Sequence, residues 1–230
     1  MGSGWKKDEH RLRLTLNGGT WIGTSDDFPS ILVSGWDFED VRARTIAEIH
    51  EVSFENYITP EYRILQARMH DEHIDYGMSA RAYISFVLEL IELHDFKSVL
   101  DYGCGKGMLR DLIFAKAGLE MADRIREYDP AIHDHDAPPE AAELLVAIDV
   151  LEHIEPEKLD FVLAHMRHMG WRMFFASVAT VPATKTLADG RNAHLIVESQ
   201  QWWFERLLSW WDMRACSGTN KGFTFVGVPK

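Results

Sequence analysis

Apolar and polar positions along residues 76–230 follow two alternating patterns. Short, nearly continuous apolar runs bounded by turn residues predict buried strands, and apolar residues that recur every three or four positions predict helices. The predicted strands are 98–102, 124–129, 143–149, 171–179, 213–217 and 223–228, and the predicted helices are 82–93, 106–117, 156–169 and 199–211. This alternation predicts an α/β fold with a parallel sheet that ends in an antiparallel hairpin.

The first 75 residues are patterned differently. Residues 11–16 alternate polar and apolar positions, and an Asn17-Gly18-Gly19 turn leads into 20–23, which predicts a β-hairpin. The other elements predicted here are a short strand at 31–34, a helix at 37–52 and a helix that opens at Pro60.

We divide the chain into an N-terminal extension, 1–75, and a main domain, 76–230. The extension carries several aromatic residues but no recognisable chemistry motif. It is expected either to cover a cofactor and shape an acceptor pocket, or to add core and a homodimer surface.

A glycine-rich turn follows the first strand of the main domain. Gly103, Gly105 and Gly107 stand at alternate positions, and glycine lets a backbone take positive φ or approach a ligand closely. The spacing departs from the G-x-G-x-x-G dinucleotide fingerprint and from the P-loop, which needs a four-residue spacer before Gly-Lys. Asp101 closes the strand, where a carboxylate would repel a pyrophosphate but attract an ammonium group. The turn therefore argues against a nicotinamide-dependent reductase.

Three ordered motifs resemble those of class I S-adenosylmethionine (SAM)-dependent methyltransferases. They are Val99 to Gly107, the acidic strand end Glu127 to Pro130, and Asp149-Val-Leu-Glu-His153. The resemblance covers about residues 76–230 and implies a Rossmann-like, doubly wound sheet of the seven-stranded type that binds SAM. A third strand is not visible in the polar, proline-rich segment 132–139, which departs from the usual pattern. Residues 194–204 are similar to a segment of the quinone-biosynthesis branch, whose acceptors are small molecules.

The resemblance implies a set of cofactor contacts around the strand ends. The residues are Tyr76, Arg81, Asp101, Tyr102, Gly103, Cys104, Gly105, Asp129, Pro130, Asp149, Val150 and Leu151. Arg81 is expected to pair with the cofactor carboxylate and Tyr76 to wall the sulfonium, the alternative being a surface arginine and a packing tyrosine. An acid at the end of the second strand would accept bonds from ribose hydroxyls. Asp129 is favoured for this role, although the register also allows Glu127.

Two histidines are candidate catalytic residues. His153 would be a general base, because an imidazole accepts a proton near neutral pH, or else it would orient the loop that begins the next helix. His194 is the second candidate base and would also contact the acceptor, together with Lys185 and Asn192 from the same polar loop. These loop groups would otherwise satisfy the loop's own backbone.

The residues His133-Asp-His-Asp136 place potential metal ligands two apart. A third well-spaced ligand group does not accompany them, so we interpret the segment as a solvated loop and predict no metal.

Composition limits the classes of binding partner and the cellular compartment that we expect for this chain. The formal net charge of −12 argues against nucleic acid, because binding phosphates depends on lysine and arginine. No apolar run reaches the ~18 residues that a transmembrane helix needs, so no membrane partner is expected. Two cysteines, Cys104 and Cys216, cannot form a disulfide framework, and a reducing cytoplasm is the simplest setting.

The resemblance implies transfer of a methyl group from SAM to an oxygen or nitrogen of a small-molecule acceptor. Two alternatives stay open. One is non-methyl SAM chemistry in the same fold, a cyclisation or alkyl transfer that releases methylthioadenosine. The other is a SAM-binding module without turnover, against which the dense polar loop 180–194 argues.

Overall fold

The computed structural model describes residues 12–17, 20–25, 32–35, 37, 38, 41, 57–73 and 76–230. The chain divides into two compact units, 1–56 and 57–230. The larger unit thus begins ahead of the predicted main domain and includes the helix that opens at Pro60. Most of the predicted helix 37–52 lies outside the described residues.

The smaller unit contains the predicted hairpin. Strand β1 (Leu12–Asn17) pairs antiparallel with β2 (Thr20–Ser25), and β2 pairs antiparallel with β3 (Leu32–Gly35). The three strands lie in sequence order in one sheet, so the N-terminal hairpin and its third strand are confirmed.

The larger unit is built on a six-stranded sheet in the order β5-β4-β6-β7-β9-β8. Its strands are β4 (Val99–Tyr102), β5 (Ile125–Tyr128), β6 (Ala142–Ile148), β7 (Gly170–Ala179), β8 (Trp211–Gly218) and β9 (Gly222–Pro229). Strands β5, β4, β6 and β7 are parallel, and β9 runs antiparallel between β7 and β8. The predicted α/β fold with a closing antiparallel hairpin is confirmed.

The larger unit also contains six α-helices among its described residues. They are α1 (Pro60–Glu72), α2 (Ala80–His94), α3 (Met108–Ala117), α4 (Leu119–Ala122), α5 (Leu159–Met169) and α6 (Gln200–Trp210). Neighbouring β4 residues point to opposite faces: Val99 joins the core cluster of α2 and α3, and Leu100 joins that of α5 and α6. The sheet is therefore doubly wound. No described helix combines the length and apolar character that crossing a bilayer requires.

The sheet has six strands rather than the seven that the resemblance implies. After β5 the chain passes through residues 130–141, which include Pro130, Pro138 and Pro139 and a short 3₁₀ turn, His133–His135. Proline lacks the N–H that a strand uses in pairing, so this segment connects β5 directly to β6 without forming an outer strand.

The order of the parallel strands reverses at β4. The chain leaves β4 for β5 on one side and later returns to pair β6 on the other side. Ligands of open α/β sheets bind outside the carboxyl ends of the strands at such a reversal. The fold therefore directs attention to the ends of β4, β5 and β6.

Helix α1 is anchored at its first residue by Thr59. The Thr59 hydroxyl accepts from the Tyr62 N–H at 3.2 Å and donates to Glu155 Oε1 at 2.7 Å, and the Thr59 N–H donates to Glu155 Oε2 at 2.8 Å. A Thr59→Ala substitution is expected to destabilise the protein by about 1–2 kcal/mol, because one N-cap and one charge-assisted hydrogen bond are lost. Urea unfolding measures this, with Thr59→Ser as the control that keeps the hydroxyl and stays close to the parent. Equal losses in both variants would contradict the capping role.

Candidate cofactor and acceptor site

A pocket opens at the carboxyl ends of β4, β5 and β6. Ten residues predicted to contact a cofactor line it: Tyr76, Asp101, Tyr102, Gly103, Cys104, Gly105, Asp129, Pro130, Asp149 and Val150. Leu151 is fully buried beneath it, and Arg81 is exposed at the start of α2, outside the lining. The fold thus brings most of the predicted cofactor residues to one place.

The glycine turn presents bare backbone to this pocket. Gly103, Gly105 and Gly107 all have positive φ, at 76°, 55° and 74°. The N–H groups of Gly103 and Cys104 donate to the Tyr128 carbonyl at 2.7 and 3.1 Å, which ties the turn to the end of β5. The left-handed backbone is the conformation that glycine adopts without steric cost.

Two buried carboxyl groups line the pocket at the ends of β4 and β5. Asp101 is buried, and desolvation, followed by repulsion from Glu127 and Asp129, raises its pKa to about 8. The Asp129 carboxylate accepts from the N–H groups of Gly105 and Ala131, each at 2.9 Å. Its pKa is raised, since the cost of desolvation exceeds the stabilisation by these two donors.

Glu127 and Asp129 differ in where they point. The Glu127 carboxyl lies against Gly107 and is outside the pocket lining, whereas Asp129 lines the pocket. Of the two acids at the end of the second strand, the structure therefore directs Asp129 into the pocket.

Helix α1 contributes side chains that the sequence alone did not identify. Tyr62, Gln66 and His70 stand four residues apart, lie on one face of α1 and line the pocket. Tyr76 OH donates to Gln66 Oε1 at 3.1 Å, Gln66 Nε2 donates to Tyr62 OH, and Tyr62 OH donates to the His153 carbonyl. The signal in the sequence that could have identified these residues is their spacing, because polar side chains recur every four positions on one face of the helix.

His70 sits beside the glycine turn with its Nδ1 buried and without a hydrogen-bond partner. Burial, followed by the nearby Lys106 charge, lowers its pKa to about 4, so the ring is neutral at neutral pH.

The two candidate catalytic histidines lie edge to face. Their ring centroids are 4.8 Å apart, and His153 lines the pocket while His194 lies behind it in the loop after β7. Desolvation lowers the pKa of His153 to about 4 against the opposing charge of Asp149, so its imidazole is neutral at neutral pH. His153 Nδ1 lies 2.8 Å from the Ala193 carbonyl and 3.2 Å from Tyr76 OH.

Asp149 and Glu152 fix the segment after β6. The Asp149 carboxylate accepts from the Ser79 hydroxyl at 2.7 Å, so Ser79 bonds Asp149 and makes no side-chain cap to α2. Glu152 is fully buried, accepts from the Ala179 N–H, and has its pKa raised by burial and by the charge of Asp149. These contacts hold the segment against α2 and the end of β7.

The polar loop after β7 is organised by its own contacts. Asn192 Oδ1 accepts from the Ala183 and His194 N–H groups at 2.9 Å each, and Asn192 Nδ2 donates to the Ala183 carbonyl. Lys185 belongs to the same loop, and neither residue lines the pocket. The Asn192 amide therefore bonds the backbone of its own loop, which was the alternative to an acceptor contact in the sequence analysis.

Comparison with known proteins defines the fold. No protein-family model matches the sequence, and no curated protein does. The N-methyltransferase NodS from Bradyrhizobium japonicum WM9, solved with S-adenosylhomocysteine, has a TM-score of 0.50 at 12% identity, over 72% of this chain and 98% of that chain.

Two further solved structures are similar to this chain over comparable shares of its length. Magnesium protoporphyrin IX methyltransferase from Synechocystis PCC 6803 has a TM-score of 0.47 at 14% identity, over 68% of this chain and 84% of that chain. The PH0226 protein from Pyrococcus horikoshii OT3 has a TM-score of 0.45 at 16% identity, over 65% of this chain and 91% of that chain. The likeness to NodS shows that this chain shares its α/β fold with that methyltransferase, which confirms the fold that the sequence motifs imply.

Proposed function

We propose that this protein binds SAM and transfers its methyl group to an oxygen or nitrogen of a small-molecule acceptor. One observation carries the proposal: ten of the twelve residues implied as cofactor contacts converge on one pocket at the strand reversal of a methyltransferase fold. When bound, the cofactor would supply an electrophilic methyl group attached to a positively charged sulfur.

The residues of the pocket fit this cofactor. Asp101 is a buried acid whose pKa of about 8 falls when an ammonium group pairs with it, so a cationic amino-acid moiety offsets its desolvation. Asp129 has carboxylate lone pairs beyond the two that its backbone donors use, and these suit ribose hydroxyls. Gly103 and Gly105, both with positive φ, line the pocket and let the cofactor approach the backbone.

The acceptor side of the pocket supplies positioning and a neutral base. His153 keeps a neutral imidazole at neutral pH, and the Ala193 carbonyl holds its Nδ1 as the proton donor, which leaves Nε2 to accept a proton. Tyr76, fixed through Gln66, covers the same side of the pocket. The net charge of −12 supports an acceptor that is a small molecule rather than a nucleic acid.

The test is product analysis with SAM alone and with a small-molecule extract of the source cells. Mass spectrometry follows S-adenosylhomocysteine and methylthioadenosine. S-adenosylhomocysteine formed only with extract supports methyl transfer, and the mass gained in the extract identifies the acceptor. Methylthioadenosine from SAM alone would replace the proposal with SAM cleavage or cyclisation. SAM binding without either product would leave a non-catalytic module.

The two acids at the end of β5 give a matched pair of variants. Asp129→Ala is expected to weaken SAM and S-adenosylhomocysteine binding about tenfold, the cost of lost hydrogen bonds between a carboxylate and hydroxyls. Glu127→Gln is expected to bind almost as the parent does, because Glu127 lies outside the pocket lining. Calorimetric titration measures both, and a larger loss in Glu127→Gln would reassign the ribose contact.

A further inference from the structure

Three side chains with metal-binding groups converge beside the pocket. Asp149, His153 and His194 each offer one ligand atom, and these three atoms lie within 4.8 Å of one another. Within the described part of the chain they form the one group of this kind. Asp149 and His153 follow β6, and the loop after β7 brings His194 to them across 41 positions of sequence, from 153 to 194.

Both imidazoles are oriented with Nε2 as the ligand atom. His153 Nδ1 lies 2.8 Å from the Ala193 carbonyl oxygen, and His194 Nδ1 lies 2.6 Å from the Val181 carbonyl oxygen. A carbonyl oxygen only accepts hydrogen bonds, so each Nδ1 carries a proton, and in the neutral ring each Nε2 keeps its lone pair. Histidines that bind metals in proteins are usually held in this way by a carbonyl or carboxylate on the other ring nitrogen.

The carboxylate is held as well. Ser79 donates to Asp149 Oδ2 at 2.7 Å, and Asp149 has a φ of 60°, a left-handed backbone that non-glycine residues rarely adopt. Strained backbone of this kind persists where the surrounding structure enforces it, most often at functional sites. All three ligand groups therefore have a second contact that sets their direction.

We propose that Asp149, His153 and His194 bind one divalent cation, and that its open coordination positions take an oxygen of the acceptor. Two imidazoles and one carboxylate suit Zn²⁺ and Mn²⁺ better than Mg²⁺ or Ca²⁺, which prefer oxygen ligands. Ligand atoms at about 2.0–2.2 Å from one ion are roughly 3–3.5 Å apart, so small side-chain rotations close the site. Asp149 and His153 line the pocket, which directs the open positions toward it.

This inference adds a metal site to the proposed methyl transfer. The binding of an acceptor oxygen by the cation rests on that proposed function, whereas cation binding itself does not. The inference narrows the acceptor to a molecule with a metal-binding oxygen, such as a hydroxyl group. It also replaces the expectation that the chain binds no metal, and it makes His153 a ligand when the cation is present.

The test measures cation binding by the full chain without SAM. Calorimetry and equilibrium dialysis with Zn²⁺, Mn²⁺ and Mg²⁺ are expected to show one Zn²⁺ or Mn²⁺ per chain and weaker Mg²⁺ binding. His194→Asn keeps an N–H for the Val181 carbonyl but lacks Nε2, and is expected to lose roughly 100-fold in affinity. The matched control is His168→Ala: His168 is exposed, also contacts a carbonyl through Nδ1, that of Ala164 at 2.7 Å, and is outside the cluster.

The outcomes separate this site from the proposed function. Equal binding by the parent, His194→Asn and His168→Ala, or no binding of any of the three ions at millimolar concentration, overturns the site. If His194→Asn does not fold, Asp149→Asn, which still accepts from Ser79, is measured in its place with the same expectation. SAM titrated in the presence of a chelator tests the cofactor pocket alone, so a protein that binds Zn²⁺ but not SAM keeps the site and loses the methyl-transfer proposal.

Discussion

SAM is expected to bind about 20-fold more tightly at pH 7.5 than at pH 6.0, because one carboxyl must lose a proton first. That carboxyl is Asp101, whose pKa of about 8 in the free protein keeps it mostly protonated across this range. Pairing with an ammonium group requires the ionised form, so the logarithm of the affinity rises by about one per pH unit. Above pH 7.5 the rise ends, since α-amino groups lose their own proton at about 7.7–8.0.

Calorimetry in buffers of different ionisation enthalpy reports the same event directly. The observed binding enthalpy is expected to change with the buffer by the amount that release of nearly one proton requires. Asp101→Asn is expected to lower affinity on the order of 300-fold at pH 7.5, because a buried charge pair loses one partner. It is also expected to abolish the proton release and flatten the pH dependence.

The Asp101→Asn protein is expected to stay folded. A carboxyl with a raised pKa favours folding when protonated, so its contribution is present below its unfolded pKa of about 4 and is lost as pH rises toward 8. Asparagine is uncharged and keeps that contribution at every pH. Asp134→Asn, at an exposed position, is the control that leaves both affinity and pH dependence unchanged. Parent-like affinity of Asp101→Asn would remove Asp101 from the cofactor site.

The elements of residues 76–230 were predictable because their signals are local. The glycines after β4, Gly118 after α3 and Pro156 before α5 mark element ends that the structure keeps within a few residues. The absence of a seventh strand is explained in the same way. The proline-rich segment has no strand pattern, and only the resemblance led us to expect a strand there.

The side chains of the pocket were predictable only where a motif carried them. Tyr62 bonds the carbonyl of His153, 91 positions away, and apolar periodicity holds no information about such a pair. Asn192 shows another limit: polar density left both an acceptor contact and a role in the loop's own backbone open, and only the structure shows that its amide bonds that backbone. The sequence suggested His153 and His194 separately, each as a candidate base. Their proximity to each other and to Asp149 exists only in the folded chain.

Gly103→Ala is expected to destabilise the ligand-free protein by about 2–4 kcal/mol, more than a substitution at an unhindered glycine. A φ of 76° costs an L-residue roughly 1 kcal/mol. A Cβ at this position would also lie 2.6 and 2.8 Å from the two methyl carbons of Val150. Val150 is β-branched and has little freedom to rotate away, so overpacking adds about 1–3 kcal/mol.

Gly190→Ala is the matched control for the backbone part of this cost. Its φ of 89° is equally unfavourable, and nothing lies within 4 Å of a Cβ placed there, so about 1 kcal/mol is expected. Val150→Ala removes both obstructing methyl groups and is expected to restore part of the loss when combined with Gly103→Ala. Urea unfolding of the four proteins of this cycle gives the coupling free energy, expected at about 1–3 kcal/mol.

A coupling near zero, or equal costs at Gly103 and Gly190, would contradict this packing. A clear coupling would carry a consequence for the two sequence motifs. Gly103 belongs to the turn after β4 and Val150 to the segment after β6, and the chain joins them only where the strand order reverses. The absence of a side chain at Gly103 would then be required by Val150 as well as by a ligand, so the two motifs form one packed unit before any cofactor arrives.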